Sequence, residues 1–281
     1  MTGSYSLHVP DVARRVLASQ ARERQQKDEF CGPFWVVAAV AALTGRVLTQ
    51  DDAALAAGSL LTEGGGRLAD LPPGAASRAD YLRPVPTTQD TTLAGTSPQG
   101  IVRAISELSA GQVTAVPLCG RWTESLLNAI AALVLDAGDA VAILNVATRY
   151  LWHSHPGLPD VLGYLDGTDV HPAAPEWDVG HYVAITGSLT GSQRQLLLCA
   201  DTYPSLGTSG VHLQPAGCLA AALNRDGSET SGGVIVAVAA NRAAELEAWA
   251  LGQGLAVGFW DNGAPDTEPL AGAAEAGGSP S

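Results

Sequence analysis

The sequence predicts an α+β fold, and three observations carry that expectation. Helix signals crowd residues 11–137, strand-like apolar runs crowd residues 140–240, and the apolar period changes between the two. A chain of 281 residues, 46% hydrophobic and 15% charged, is large enough to bury a substantial core. One domain over residues 1–261 accounts for it, with a disordered tail expected at 262–281 from the small and polar run APDTEPLAGAAEAGGSPS.

The elements follow in order. Residues 11–27, DVARRVLASQARERQQK, carry the charges of a surface helix, and the apolar run of residues 32–44 forms a second helix stopped by Gly45. Thr49 with Asp52 resembles a capping box and opens a short helix, DDAALAAGSLL. Residues 62–96 contain EGGGR, LPPG and PVPTTQ, which is loop chemistry. Ser97-Pro98 caps a helix of about ten residues, with Ser at the N-cap and Pro just inside. Residues 123–137 form another helix, ended by Gly138. Residues 140–148 then read as a buried strand. HYVAITGSL (181–189) and QRQLLLCADTY (193–203) read as two strands about a turn at Thr190, Gly191 and Ser192. A helix at 217–225, a strand at 232–240 and a helix at 242–251 complete the pattern. Helices of the N-terminal half are expected to pack on a sheet that is mostly antiparallel.

The formal net charge of −13 argues against nucleic acid as a partner, because no basic patch is present to neutralise phosphates. Cys31, Cys119, Cys199 and Cys218 are too widely spaced for a disulfide framework, so reduced thiols are expected. The N-terminus, MTGSYSLHVPDVARR, lacks an apolar targeting core, and no stretch approaches the ~20 apolar residues of a membrane span. A soluble cytoplasmic protein with no membrane partner is the expectation; the sequence fixes no oligomeric state. The glycines of EGGGR follow no strand, so no nucleotide cofactor is expected. His153 and His155 have an H-x-H spacing that suits a metal, but no third ligand is evident, and a loop lining the cleft is the expectation.

DEFCGPFW, residues 28–35, places a cysteine at the mouth of an apolar helix. Cys31 is either a small core residue or a thiolate favoured by the positive end of the helix dipole. The 181–203 hairpin bears on that choice. With its turn centred on Gly191, His181 faces Asp201, and directly opposed residues have Cβ atoms only ~5 Å apart. A histidine so placed donates a ring N–H to the carboxylate, which fixes its tautomer. The competing reading is a half-exposed histidine and an unrelated aspartate, and a one-residue slip would produce it. Thiolate, base and orienting carboxylate are the parts of acyl-transfer catalysis, which also needs donors for an oxyanion. Gln25, six residues before Cys31, is one candidate donor and the backbone N–H of Cys31 another; Gln26 competes with Gln25. Trp177, just before Asp178 and Gly180, either shields the Cys–His pair from water or packs on the sheet.

Gln25 at minus six, Cys31-Gly32 opening an apolar helix, then GHYVAITG and ADTY resemble the papain-like cysteine peptidase superfamily. The likeness is greatest to the bacterial branch that includes the double-glycine leader peptidases of bacteriocin exporters. It spans roughly residues 20–240 and rests on three short motifs. It implies a papain-like fold, with Gln25 as oxyanion donor, Cys31 as nucleophile, His181 as base and Asp201 as its orienter. Trp177, Asp178 and Gly180 would border the substrate. Phe30 stands where the leader peptidases usually carry Asp. About 150 residues separate Cys31 from His181, more than a minimal domain of that branch, and the extra length falls near 60–100 and 149–178. The resemblance implies no cofactor and no metal. Three functions are compatible with it: hydrolysis of a peptide or isopeptide bond, transfer of an acyl group from Cys31 to an amine, and an inert binding module. The substrate would be a peptide or a small acyl or amine compound.

Overall fold

The computed structural model describes residues 4–65, 70–170, 172–173, 175–225 and 232–267. In chain order its elements are β1 (Ser6–His8), α1 (Asp11–Glu23), α2 (Cys31–Thr44), α3 (Gln50–Ala57), β2 (Leu61–Thr62), β3 (Thr87–Thr88), α4 (Pro98–Leu108), β4 (Val113–Cys119), α5 (Glu124–Ala137), β5 (Ala140–Ala147), α6 (Leu158–Leu165), β6 (Gly180–Thr190), β7 (Gln195–Ala200), β8 (Val211–Gln214), α7 (Ala216–Asn224), β9 (Val234–Ala239), α8 (Ala243–Gly252) and β10 (Ala256–Val257). The class is α+β, as the sequence predicts.

The main sheet runs β10-β4-β9-β5-β6-β7-β8, with β1 added along β6, and every pairing in it is antiparallel. Helices cover both faces. On one side α2 and its neighbours α1, α3 and α4 bury Val36, Val37, Val40 and Ile105 against Ile143, Ala184 and Ala237 of the sheet. On the other, α5, α7 and α8 bury Leu127, Ile130, Leu219 and Leu246 against Leu144, Val183 and Val236. A strand covered on both faces must be apolar throughout, which is why AVAILNVA shows no alternation and all eight of its residues are buried. The same logic makes α2 apolar on every side: it is enclosed by other helices and the sheet. Trp35 ties it to β6 by donating Nε1–H to the Tyr182 carbonyl at 2.7 Å.

The capping signals act where they were read. The Thr49 and Ser97 hydroxyls accept the N–H groups of Asp52 and Gly100, at 3.1 and 3.0 Å, and Gly45 closes α2 in the left-handed conformation. Three expectations need correction. The helix at 11–27 ends at Glu23, because Arg24 turns to φ 65° and residues 24–30 form an irregular loop. The third helix stops at Ala57 on Gly58 rather than continuing to residue 61. The tail does not begin at residue 262. Asn262 Nδ2 donates to the Thr96 carbonyl at 2.9 Å, and Arg103 pairs with Asp266 at 2.9 Å and donates to the Thr267 carbonyl at 2.6 Å. Residues 268–281 lie outside the described residues. β1, β2, β3, β4, β8, β10 and α6 are additional to the sequence prediction. Among the described residues no helix is long and apolar enough to cross a membrane.

Candidate active site

His181 is the second residue of β6, and Asp201 follows the last residue of β7. The hairpin loop is Gly191–Arg194, closed by Gly191 N–H to the Arg194 carbonyl at 2.9 Å, so Thr190 pairs with Gln195. An irregularity between Ile185 and Gly187 then moves the register, and beyond it Ala184 pairs with Ala200. Asp201 is therefore two positions from the place the turn centre predicts, and it reaches His181 diagonally instead of from directly opposite. An even shift keeps both side chains on one face. Asp201 Oδ1 lies 3.1 Å from His181 Nε2, with the two side chains 1% and 3% exposed. The backbone of Asp201 is held as firmly: its N–H donates to the Gly210 carbonyl, and Gln20 Nε2 on α1 donates to the Asp201 carbonyl, both at 2.6 Å. Gly210 has φ 79°, and a Cβ there would stand 2.6 Å from Gln20 Nε2, so glycine is required for this close approach.

Cys31 opens α2 from the irregular loop. Its neighbour Gly32 lets α4 come near, since a Cβ at Gly32 would lie 2.9 Å from Thr96 Cβ and 3.1 Å from Ile101 Cδ1. No side chain caps this helix start, which leaves first-turn N–H groups and the positive dipole end facing the site. The loop before it is fixed residue by residue. Gln26 N–H donates to the Thr202 carbonyl at 3.1 Å, and Lys27 N–H to Gln50 Oε1 at 2.8 Å. Lys27 Nζ pairs with Asp51; Asp28 accepts from Ser77 Oγ and, at 2.8 Å, from the Arg78 N–H. Glu29 keeps φ 64° while its carboxylate accepts the Thr62 N–H at 2.6 Å. Phe30, fully buried, packs edge-on against Tyr81 at 5.3 Å. The segment predicted as an insertion at 60–100 is thus the strap that shapes the loop bearing Cys31.

Nε2 of His181 is committed to Asp201, with Thr202 Oγ1 3.4 Å away, and the ring shares its cleft with Cys31. Burial opposes charge on the imidazole, but the Asp201 carboxylate and the hydrogen bonds to Asp201 and Cys31 outweigh it and push His181 up to about 10. Burial likewise disfavours the Asp201 carboxylate, yet His181 and His212 hold it well below the usual carboxylate range. Trp177 meets the His181 ring edge-on at 4.9 Å and Tyr203 stacks beside it at 5.9 Å, so aromatic faces screen the pair from water.

Cys31 and His181 open into a cleft of ≈ 280 Å³. Among the described residues Gln26, Asp28, Glu29 and Asp70 line it. The strap contributes Thr62, Ser77 and Thr91 to its wall.

Of the predicted residues, Cys31, His181 and Asp201 come together, and Trp177 and Gly180 border the cleft. Gln25 does not: its Nε2 donates to the Ala76 carbonyl at 2.6 Å, away from Cys31. Gln26 takes the place instead, 3% exposed, with Oε1 accepting from Thr202 Oγ1 at 2.5 Å and Nε2 left to donate into the cleft. The minus-six count fails because the loop is irregular: Gln25 turns to the Ala76 carbonyl, while Gln26, Lys27 and Asp28 are buried in succession. Asp178 is turned to solvent and pairs with Arg149 at 3.3 Å, so it is not a cleft residue. His153 and His155 line a separate hollow behind Trp177, not the cleft. Tyr203 was quoted in ADTY without a role; His212, two strands from His181, carried no motif.

No curated protein matches the chain. A family model matches residues 10–261, a span that contains the whole site, and the chain belongs to that family, described as a family of unknown function (DUF6885).

Proposed function

We propose that this protein is a cysteine-dependent acyl-transfer enzyme of papain-like fold that hydrolyses a peptide or isopeptide bond. The observation that carries the proposal is the His181 ring, buried between Asp201 and Cys31 at the start of a helix that opens on a cleft. The thiolate of Cys31 is the form that attacks, with His181 as its proton-transfer partner. The thiolate adds to the carbonyl carbon. The oxyanion that forms is met by Gln26 Nε2–H and the Cys31 backbone N–H. His181 gives its proton to the leaving amine as the C–N bond breaks, which leaves a thioester. Water, deprotonated by His181, then adds to the thioester and releases the acid, restoring thiolate and imidazolium.

Polar groups in the cleft wall, among them Asp28, Glu29, Thr62 and Ser77, support water over an amine as the group that resolves the thioester. The Asp28 and Glu29 carboxylates in its wall favour a substrate with a positive charge near the scissile bond.

Iodoacetamide labelling with peptide mapping tests the nucleophile. Burial raises the thiols of Cys119, Cys199 and Cys218, that of Cys218 to about 11. Cys31 should therefore label first and at lower pH. Labelling no faster than Cys218 would sink the proposal. A panel of peptides and isopeptides followed by intact mass then seeks the thioester, which Cys31→Ala must abolish.

A further inference from the structure

The Asp201 carboxylate has a second histidine on it. His212 lies on β8, paired across the sheet with Cys199 of β7, and is 5% exposed. Its Nε2 stands 3.5 Å from Asp201 Oδ2, while Oδ1 receives His181 Nε2 and the Tyr203 N–H, each at 3.1 Å.

The tautomer of His212 follows from Gln214, two residues along the same face of β8 and fully buried. Gln214 Oε1 accepts the Trp152 N–H at 2.8 Å, and its Nε2 donates to the Trp152 carbonyl at 3.1 Å. That pair of backbone bonds fixes which end of the amide is which. The amide nitrogen therefore faces His212 Nδ1, at 2.9 Å, and an NH₂ group can only donate. Nδ1 must be the bare acceptor, so the ring proton sits on Nε2, the nitrogen 3.5 Å from Asp201 Oδ2.

We propose that His212 is a positioning residue: as the neutral Nε2–H tautomer it fixes the plane of the Asp201 carboxylate so that Oδ1 stays on His181 and the His181 cation stays on Cys31. The inference rests on the acyl-transfer reading of Cys31. Without His212, Oδ2 is a buried acceptor with its donor gone, and the carboxylate either turns or takes up a proton. Either change weakens the hold on charged His181, and Cys31 loses its partner. The titratable groups around His212 are Asp201 and, beyond it, His181 and Cys31; its strand neighbour Cys199 is a buried thiol pushed up by burial.

The test has two arms. In the first, Cys31 alkylation is followed against pH in the wild type, His212→Leu and His212→Gln, with folding checked by circular dichroism. One lost hydrogen bond to a charged group corresponds to about one pH unit, so His212→Leu should raise the acid midpoint by about that and slow labelling at pH 5 by about tenfold. His212→Gln, which retains an Nε2 donor, should recover most of the loss. Wild-type midpoints in both variants would overturn the proposal. The second arm needs no variant. Nitrogen-15 histidine spectra of the wild type at pH 7.5 should show His212 neutral with a bare Nδ1; a proton on Nδ1, or a cation, would overturn the proposal even if the variants fail to fold. A wild-type Cys31 no more reactive than Cys218 would instead remove the acyl-transfer reading itself, whatever the His212 tautomer.

Discussion

The buried Lys27–Asp51 ion pair, 4% and 0% exposed, anchors the loop that carries Gln26 and leads to Cys31. Lys27→Met keeps most of the apolar stem and removes only the charge. Removing one member of a buried pair costs about 3–5 kcal/mol, because the remaining charge is stranded. Asp51 Oδ1 still accepts N–H groups from Leu82 at 2.7 Å and Arg83 at 3.3 Å, so the lower end of that range applies. About 3 kcal/mol in a chain of this size corresponds to a fall of roughly 6–12 °C in Tm. Asp51→Asn should cost a similar amount, since the ammonium then loses its carboxylate and keeps the Asp80 carbonyl at 2.7 Å and the Tyr81 ring, 5.9 Å to its centroid. The double variant, with neither charge, should be less destabilised than the sum of the singles by about 2 kcal/mol, as expected for groups in direct contact. Urea unfolding of the four proteins measures the cycle, and iodoacetamide labelling reports whether loosening the loop slows Cys31. Single losses below about 1 kcal/mol, the value of an exposed pair, would refute the reasoning, as would additive singles.

Three further outcomes follow from the same geometry. Once a substrate is found, Gln26→Ala should slow turnover by about 10²–10³, the usual loss for one oxyanion donor, while Gln25→Ala stays within about threefold; the reverse order would return the role to Gln25. His181 is held above its ordinary value, so its stabilisation is complete below about pH 6.5 and is lost as pH rises through about 10, whereas Asp201, held below its own, stabilises above about pH 4 and fails only as pH falls further. Unfolding free energy of His181→Ala should thus fall less between pH 7 and pH 10 than that of the wild type, and parallel curves in urea titrations would contradict it. A cationic methanethiosulfonate should modify Cys31 faster, relative to its anionic counterpart, than it modifies a free thiol in solution, and 1 M salt should narrow the difference; a preference for the anion would remove the charge argument drawn from the cleft wall.

Much of the fold was legible because its signals are local. Thr49, Ser97, Gly45 and Gly138 act within one turn of helix, and the backbone conformations they impose do not depend on distant partners. β4 was hidden by Pro117, which reads as a break in a strand. In the sheet Pro117 pairs with Ile235, and its carbonyl accepts the Gly258 N–H at 3.0 Å on the side of β10, a strand only two residues long. A residue's N–H and C=O point the same way in a strand, so the missing donor falls on that poorly paired side and costs little. β1, β8 and β10 are short and gain their order from the strand beside them, which no local pattern announces.

The pairing of His181 with Asp201 was legible for a different reason. Turn chemistry locates a hairpin to within a residue or two, and the register it implied was wrong: the loop has four residues, and an irregularity at residues 185–187 shifts the pairing again. Each error is odd, but the two together leave an even displacement. Side chains alternate with a period of two, so His181 and Asp201 share a face for any even displacement, and Asp201 can close a diagonal gap that a direct pairing would not have needed. No parity protects a residue in an irregular loop. The choice between Gln25 and Gln26 depends on how residues 24–30 turn, and that is decided by Gln50, Asp51, Thr62, Ser77 and Arg78, all far along the chain. The place of Gln26 is therefore set by residues distant in sequence, Thr202 and the strap among them, and under the proposed mechanism altering them should change turnover even where Cys31, His181 and Asp201 are untouched.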